Sequence, residues 1–222
     1  DTDLSHIWDD TLEVEDDQFD AEQEIETAKA TKIKLGDMFQ LGNHRLICGD
    51  STDLATVQKV VGKQQIDTIY CDPIYNIGLD YNKGVGNKGK YGGKVNDKQS
   101  SEDYEKFLTA TLKNALAVAK SDVHSFYWCD EKYIGLLQRV FADCGLNPLR
   151  VCYWIKNGFN VTPNVAFNKC LEACVYGTKG KPYLNPNMQN LHELINKEIG
   201  TGNQMIDDVM DIFNVWLAKR NS

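Results

Sequence analysis

The chain has 222 residues, of which 42% are apolar, and a formal net charge of −8. That length allows one domain with an appendage or two small ones, and the apolar share can build a substantial core. No run of eighteen apolar residues occurs, which excludes a membrane-spanning helix, and the acidic, polar first residues exclude a secretory signal peptide.

Residues 1–26 hold twelve of the 32 acids and no Lys or Arg, which leaves 24 basic against 20 acidic residues in the rest. This shift predicts an acidic linker over 1–32, disordered or extended, ahead of a mildly basic body over 33–222. The linker reads as solvated chain; an acidic arm competing with a polyanion for the body is the other reading of the same pattern. The stretch "KLGDMFQLGNHRLICGD" alternates on both sides of Gly42-Asn43 and predicts a hairpin. A short helix follows in "STDLATVQKVVG", capped by Ser and Asp and ended by Gly62. Ile66–Cys71 is nearly all apolar and stops at Asp72-Pro73, as expected of a central parallel strand.

Residues 76–100 have no apolar period and contain six glycines and five lysines, so a long loop is predicted. Within it, Gly84, Gly86 and Gly89 match GxGxxG, and Gly84 with Gly89-Lys90 matches most of a P-loop. Tyr91 stands where magnesium would need Ser or Thr, and neither pattern has its flanking strand and helix, so both nucleotide readings are set aside. Lys83, Lys88, Lys90, Lys94 and Lys98 instead suit a pliable basic loop that closes over a phosphate backbone. A plain solvated linker is the alternative.

Beyond the loop, "SSEDYEKFLTATLKNALAVAK" carries apolar residues at helical spacing behind serine caps. A strand "VHSFYW", a helix "EKYIGLLQRVFADCG", and strands "LRVCYWIK" and "CLEACVYG" follow, with two weak helices over 187–217. Strands alternating with helices predict an α/β fold with a mostly parallel sheet, whose ligands gather at strand carboxyl ends, where Asp72 sits. The seven cysteines are scattered, without CxxC and away from the histidines, and read as small thiols in a reducing cytosol rather than a zinc site. His124, Tyr127, Trp128 and Trp154 read as core residues.

Asp72-Pro73-Ile74-Tyr75 resembles the Asp/Asn/Ser-Pro-Pro-aromatic tetrapeptide of the amino-group DNA methyltransferases. "HRLICGDSTD", "IDTIYCDPIYNIGLDY", the Lys-Gly loop with "YGG", "YWIKN" and "EACVYGTKG" extend the resemblance over roughly residues 33–220. The similarity is to bacterial and phage adenine methylases of the permuted β arrangement. It implies a Rossmann-like S-adenosylmethionine-dependent sheet, a cytoplasmic enzyme, and double-stranded DNA as partner. Asp72 and the Pro73 carbonyl would accept the hydrogens of an exocyclic amine, freeing its delocalised lone pair for direct methylation. Tyr75 would stack on the base swung out of the duplex. Asn76, Lys83, Lys88, Lys90 and Lys156 are further candidate DNA contacts; a merely exposed lysine is the other reading of Lys156.

Asp50-Ser51 and Asp72 lie by resemblance at the cofactor site, although Asp50 equally suits an N-cap. The permuted members place a glycine-rich cofactor turn after the tetrapeptide, and none is found here, so the chain is expected to be C-terminally truncated and inactive or weak in cofactor binding by itself. Ile74 replaces the family's second proline and is expected to loosen the turn. The first-position Asp leans toward adenine N6; cytosine N4, or a silent methyltransferase-like nucleic-acid-binding module, are the alternatives. In similar phage and prophage proteins an acidic spacer follows a ParB-like domain.

Overall fold

The structure is a computed structural model that describes residues 32–79, 97–160, 169–185 and 193–195. The expected linker at 1–31, the lysines and glycines of 80–96, and most of the two helices expected at 187–217 lie outside these residues.

The predicted hairpin forms as β1 (Met38–Leu41) and β2 (His44–Ile47), turning at Gly42, whose positive φ of 58° suits glycine. Helix α1 (Leu54–Val61) is capped by Asp53, which accepts from Ala55 N at 3.1 Å and Thr56 N at 3.2 Å. Asp50 is therefore not the N-cap. It accepts from the backbone N and the hydroxyl of Thr52 instead, at 2.8 and 2.7 Å.

Strand β3 (Ile66–Cys71) leads to the candidate site, and α2 (Ser101–Ala117), β4 (Ala119–Cys129), α3 (Ile134–Asp143), β5 (Asn147–Asn160), β6 (Lys169–Lys179) and β7 (Leu194–Ile195) follow. Helix α2 buries Tyr104, Leu108, Thr111 and Leu112, the i, i+4, i+7, i+8 stripe of an amphipathic helix. Helix α3 ends at Gly145, with Gly145 N bonded to Ala142 O at 3.0 Å and Leu146 N to Phe141 O at 2.9 Å. That paired arrangement requires a left-handed residue, and Gly145 has φ 81°.

Among the described residues the main sheet runs β3-β4-β6-β5-β7. It is α/β as expected, but mixed rather than mostly parallel. β3 with β4 and β5 with β7 are parallel, whereas β6 is antiparallel to both neighbours. The cause is chain length: only residues 161–168 join β5 to β6, too few for the crossover that parallel neighbours need. Among the described residues β3 stands at one end of this order. Leu194–Ile195, inside a segment read as helical, is a strand paired with Tyr153 and Trp154.

Helices α2 and α3 cover one face of the sheet, where Ile69, Val123, Tyr127 and Val175 meet Leu108 and Phe141 in the main core. The opposite face carries a smaller cluster of Trp128, Trp154 and Cys174, with Tyr70, Phe126 and Tyr75 against it. Alternation along each strand sorts the residues in this way. His124, on the second face, is buried with both ring nitrogens engaged, at 3.0 Å from Tyr176 Oη and 3.0 Å from Tyr183 O. Tyr127, Trp128 and Trp154 are buried core residues.

Candidate active site

The corner after β3 is anchored on both faces of the sheet. Ile74 packs against the main core, whereas Tyr75 packs against the tryptophan cluster. Tyr104 Oη donates to Ile74 O at 2.8 Å and fixes the peptide that follows Pro73-Ile74. Ile74 thus puts a core contact where the family's second proline has its ring, and the Tyr104 bond to its carbonyl is one that a proline would also accept. Tyr104→Phe is expected to lower stability by about 1 kcal/mol. A thermal melt checks this, and an unchanged melt would show that the bond holds nothing.

Asn76 is the next fixture. It has φ 54°, the one positive φ outside glycine among the described residues, and is only 7% exposed. Asparagine tolerates that left-handed backbone better than most residues. Its backbone N donates to Asp97 Oδ1 at 2.7 Å, its Oδ1 accepts from Gln99 N at 2.6 Å, and its Nδ2 donates to Gln99 O at 3.2 Å and to Tyr133 Oη at 2.9 Å. Its carbonyl accepts from Lys132 Nζ at 3.0 Å. Asp97 is 2% exposed and also accepts from Leu79 N at 2.7 Å, while its carbonyl takes Gly78 N at 2.8 Å. These bonds tie residue 79 to residue 97 at the neck of the segment 80–96.

Asn76, a candidate DNA contact by sequence, has every polar group of its side chain bonded inside the protein. Lys156, the other described candidate, pairs through Nζ with Glu172 and lies 4.7 Å from the centroid of the Trp154 ring. Lys83, Lys88 and Lys90 lie outside the described residues.

Asp72 is reachable by solvent, yet the protein around it removes enough hydration to push its carboxyl above the ordinary carboxylate range. The Tyr75 hydroxyl and the Lys156 ammonium act against that rise, and the Glu172 carboxylate adds to it. Tyr75 Oη is buried without a hydrogen bond of regular geometry, and burial first, then the Asp72 charge, keeps its phenol protonated. Burial pushes the neighbouring Cys71 thiol up to about 12, so it is no nucleophile at neutral pH. All seven cysteines are free thiols.

Asp50 and Ser51 stand at the start of α1, both exposed, and the Ser51 carbonyl accepts from Asn114 Nδ2 of α2 at 3.0 Å. Exposed carboxylates at Asp50 and Asp72 suit a ligand that brings hydroxyls, amines and a positive charge. Among the described residues no GxG cluster follows a strand. Asp97, Tyr104, Tyr133 and Glu172 escaped the sequence reading. Only Glu172 gave a signal, as a charge sharing a strand face with Cys174 and Tyr176.

A family model described as DNA methylase matches residues 66–220, well over half of the chain. Among solved structures, the complex of M1.HpyAVI with SAM is similar at 12% identity and a TM-score of 0.48, over 74% of this chain and 72% of that one. M1.HpyAVI without it is similar at 9% identity and a TM-score of 0.48, over 75% and 70%. No curated protein matches the chain. With the family match spanning the strand end, the corner and both antiparallel strands beyond it, the chain belongs to the amino-group (N6/N4) DNA methyltransferase family, whose methyl donor is S-adenosylmethionine.

Proposed function

We propose that the chain methylates the exocyclic N6 amine of an adenine swung out of double-stranded DNA. One observation carries this reading: a solvent-reachable Asp72 and a half-buried Tyr75 share one strand end, with the peptide between them pinned by Tyr104. The Asp72 carboxylate and the Pro73 carbonyl accept the two amine hydrogens, which draws the nitrogen toward a tetrahedral shape and localises its lone pair. S-adenosylmethionine, when bound, supplies the methyl group from its sulfonium. Asp50, Ser51 and Asp72 would hold it. The amine must shed a proton once it carries four substituents, and a carboxyl held above its usual range is the better acceptor for it.

Tyr75 holds the plane of the extruded base. Its loss to alanine should weaken binding of DNA carrying an unpaired adenine by about 1–3 kcal/mol, while leaving ordinary duplex binding within about twofold. Equal weakening for both DNAs, in a fluorescence titration, would remove the stacking role. The lysines at 83, 88 and 90 contact phosphate in this reading, which the salt slope of binding reports.

Incubation of DNA with the full-length gene product and labelled S-adenosylmethionine, followed by mass analysis of nucleosides, tests the reaction itself. N6-methyladenine is expected; N4-methylcytosine would keep the chemistry and change the base, and an unlabelled digest would defeat the reading.

A further inference from the structure

Lys156 and Glu172 lie on adjacent strands at the carboxyl end of β3 and β4, on the face that carries Tyr75. The register shows how. Cys71 pairs with Tyr127, so Asp72 stands level with Trp128, which pairs with Cys174. Two residues along the same face of β6 comes Glu172, paired with Trp154, and Lys156 follows on β5. We propose that Glu172 is a positioning residue: it keeps the Lys156 ammonium near Asp72 while preventing it from occupying the carboxylate oxygens. This inference rests on the reading of Asp72 as the acceptor for the amine.

The chemistry sets two demands that conflict. Asp72 must be ionised to accept a hydrogen, and a partly dehydrated carboxyl needs a nearby cation for that. A lysine bonded directly to Asp72 would fill the lone pairs that the amine requires. Holding the lysine on a second carboxylate and over the Trp154 ring keeps a cation within reach of Asp72 while leaving its lone pairs open, although the Glu172 charge offsets the lysine's pull. Glu172 Oε1 takes the ammonium, and Glu172 Oε2 is buried without a hydrogen-bond partner, as are the indole N–H groups of Trp128 and Trp154. A half-buried ion pair with an unmet oxygen is poor stabilisation; both of its charges act on Asp72, which gives it another use.

Other titratable groups act alongside. Tyr70 and Cys71 on β3, Tyr75 in the corner and Cys174 on β6 also feel the Asp72 charge, and all four are held in their neutral forms by burial. Asp130, at the end of β4, is tied to Lys169 at 2.6 Å.

Carbon-13 NMR titration of the Asp72 carboxyl in the full chain tests this without relying on turnover. Glu172→Gln releases the lysine and should lower the Asp72 midpoint by about half a unit or more; Lys156→Met should raise it. Midpoints that stay put, or move the same way in both variants, overturn the inference. The charge-keeping Glu172→Asp and Lys156→Arg should leave the midpoint in place, and a comparable shift in either overturns it as well. Methyl transfer measured in parallel separates the two levels. Glu172→Gln should lose activity that Lys156→Met/Glu172→Gln regains, and a double variant no better than the single one counts against the positioning role. A full-length wild-type protein that transfers no methyl group defeats the proposed function, and the titration still tests the inference.

Discussion

Asp72→Ala is expected to lower the turnover of methyl transfer by a factor on the order of 10²–10³, the usual loss when one oriented acceptor or donor is removed from a reacting centre. DNA affinity should change far less. The same substitution should raise thermal stability at neutral pH. The folded-state carboxyl is pushed above its ordinary value of 3.8, chiefly by burial, so the folded protein holds that proton more tightly than the unfolded chain. Its contribution to stability is then full below the ordinary value and is lost as pH rises through the raised one. The alanine variant should melt higher than wild type at pH 7, and the gain should vanish on acidification below about 3.8. Loss of activity joined to a gain in stability is the mark of a residue kept for chemistry. For the wild type, turnover should fall on acidification through a midpoint above the usual carboxylate range, because only the ionised carboxyl accepts the amine hydrogen.

Asn76→Ala is the second large effect, and it acts on the fold. The side chain satisfies the Gln99 backbone N and O and bonds Tyr133 Oη. Its removal leaves the two Gln99 groups without those partners, while the left-handed backbone strains any ordinary residue. A loss on the order of 3 kcal/mol follows. Asn76→Gly removes the same bonds but suits the φ of 54°, so it should recover about 1 kcal/mol of that loss. Denaturant unfolding of the pair separates the two causes. Equal midpoints for the alanine and glycine variants would show that the backbone angle contributes nothing.

Local chemistry decided how much of this was legible in advance. The alternation around Gly42-Asn43, the apolar run Ile66–Cys71, the Ser100 cap of α2 and the Gly145 stop of α3 are each specified within a few residues, and each element formed where the pattern placed it. The direction of β6 was a question of partners, and strand patterns do not encode partners. Only the short link between β5 and β6 bore on it, and that link alone argues for antiparallel pairing. At the site, Asp72 and Tyr75 stood out because an acid and an aromatic ring closed an apolar strand. Asn76 looked like one more polar loop residue, because its partners Asp97, Gln99 and Tyr133 lie 21 to 57 positions away. Lys156 looked free for the same reason: Glu172 reaches it only from the neighbouring strand, 16 positions away.

The central claim is that the corner holds a nucleobase by its amino edge. It is tested most directly by comparing duplexes that carry one unpaired adenine with duplexes carrying purine, the same ring without the amine. Tighter binding of the adenine duplex, by about tenfold or more as two hydrogen bonds with one charged acceptor would give, and loss of that difference in Asp72→Ala, are expected. Equal affinities in the wild type would contradict it.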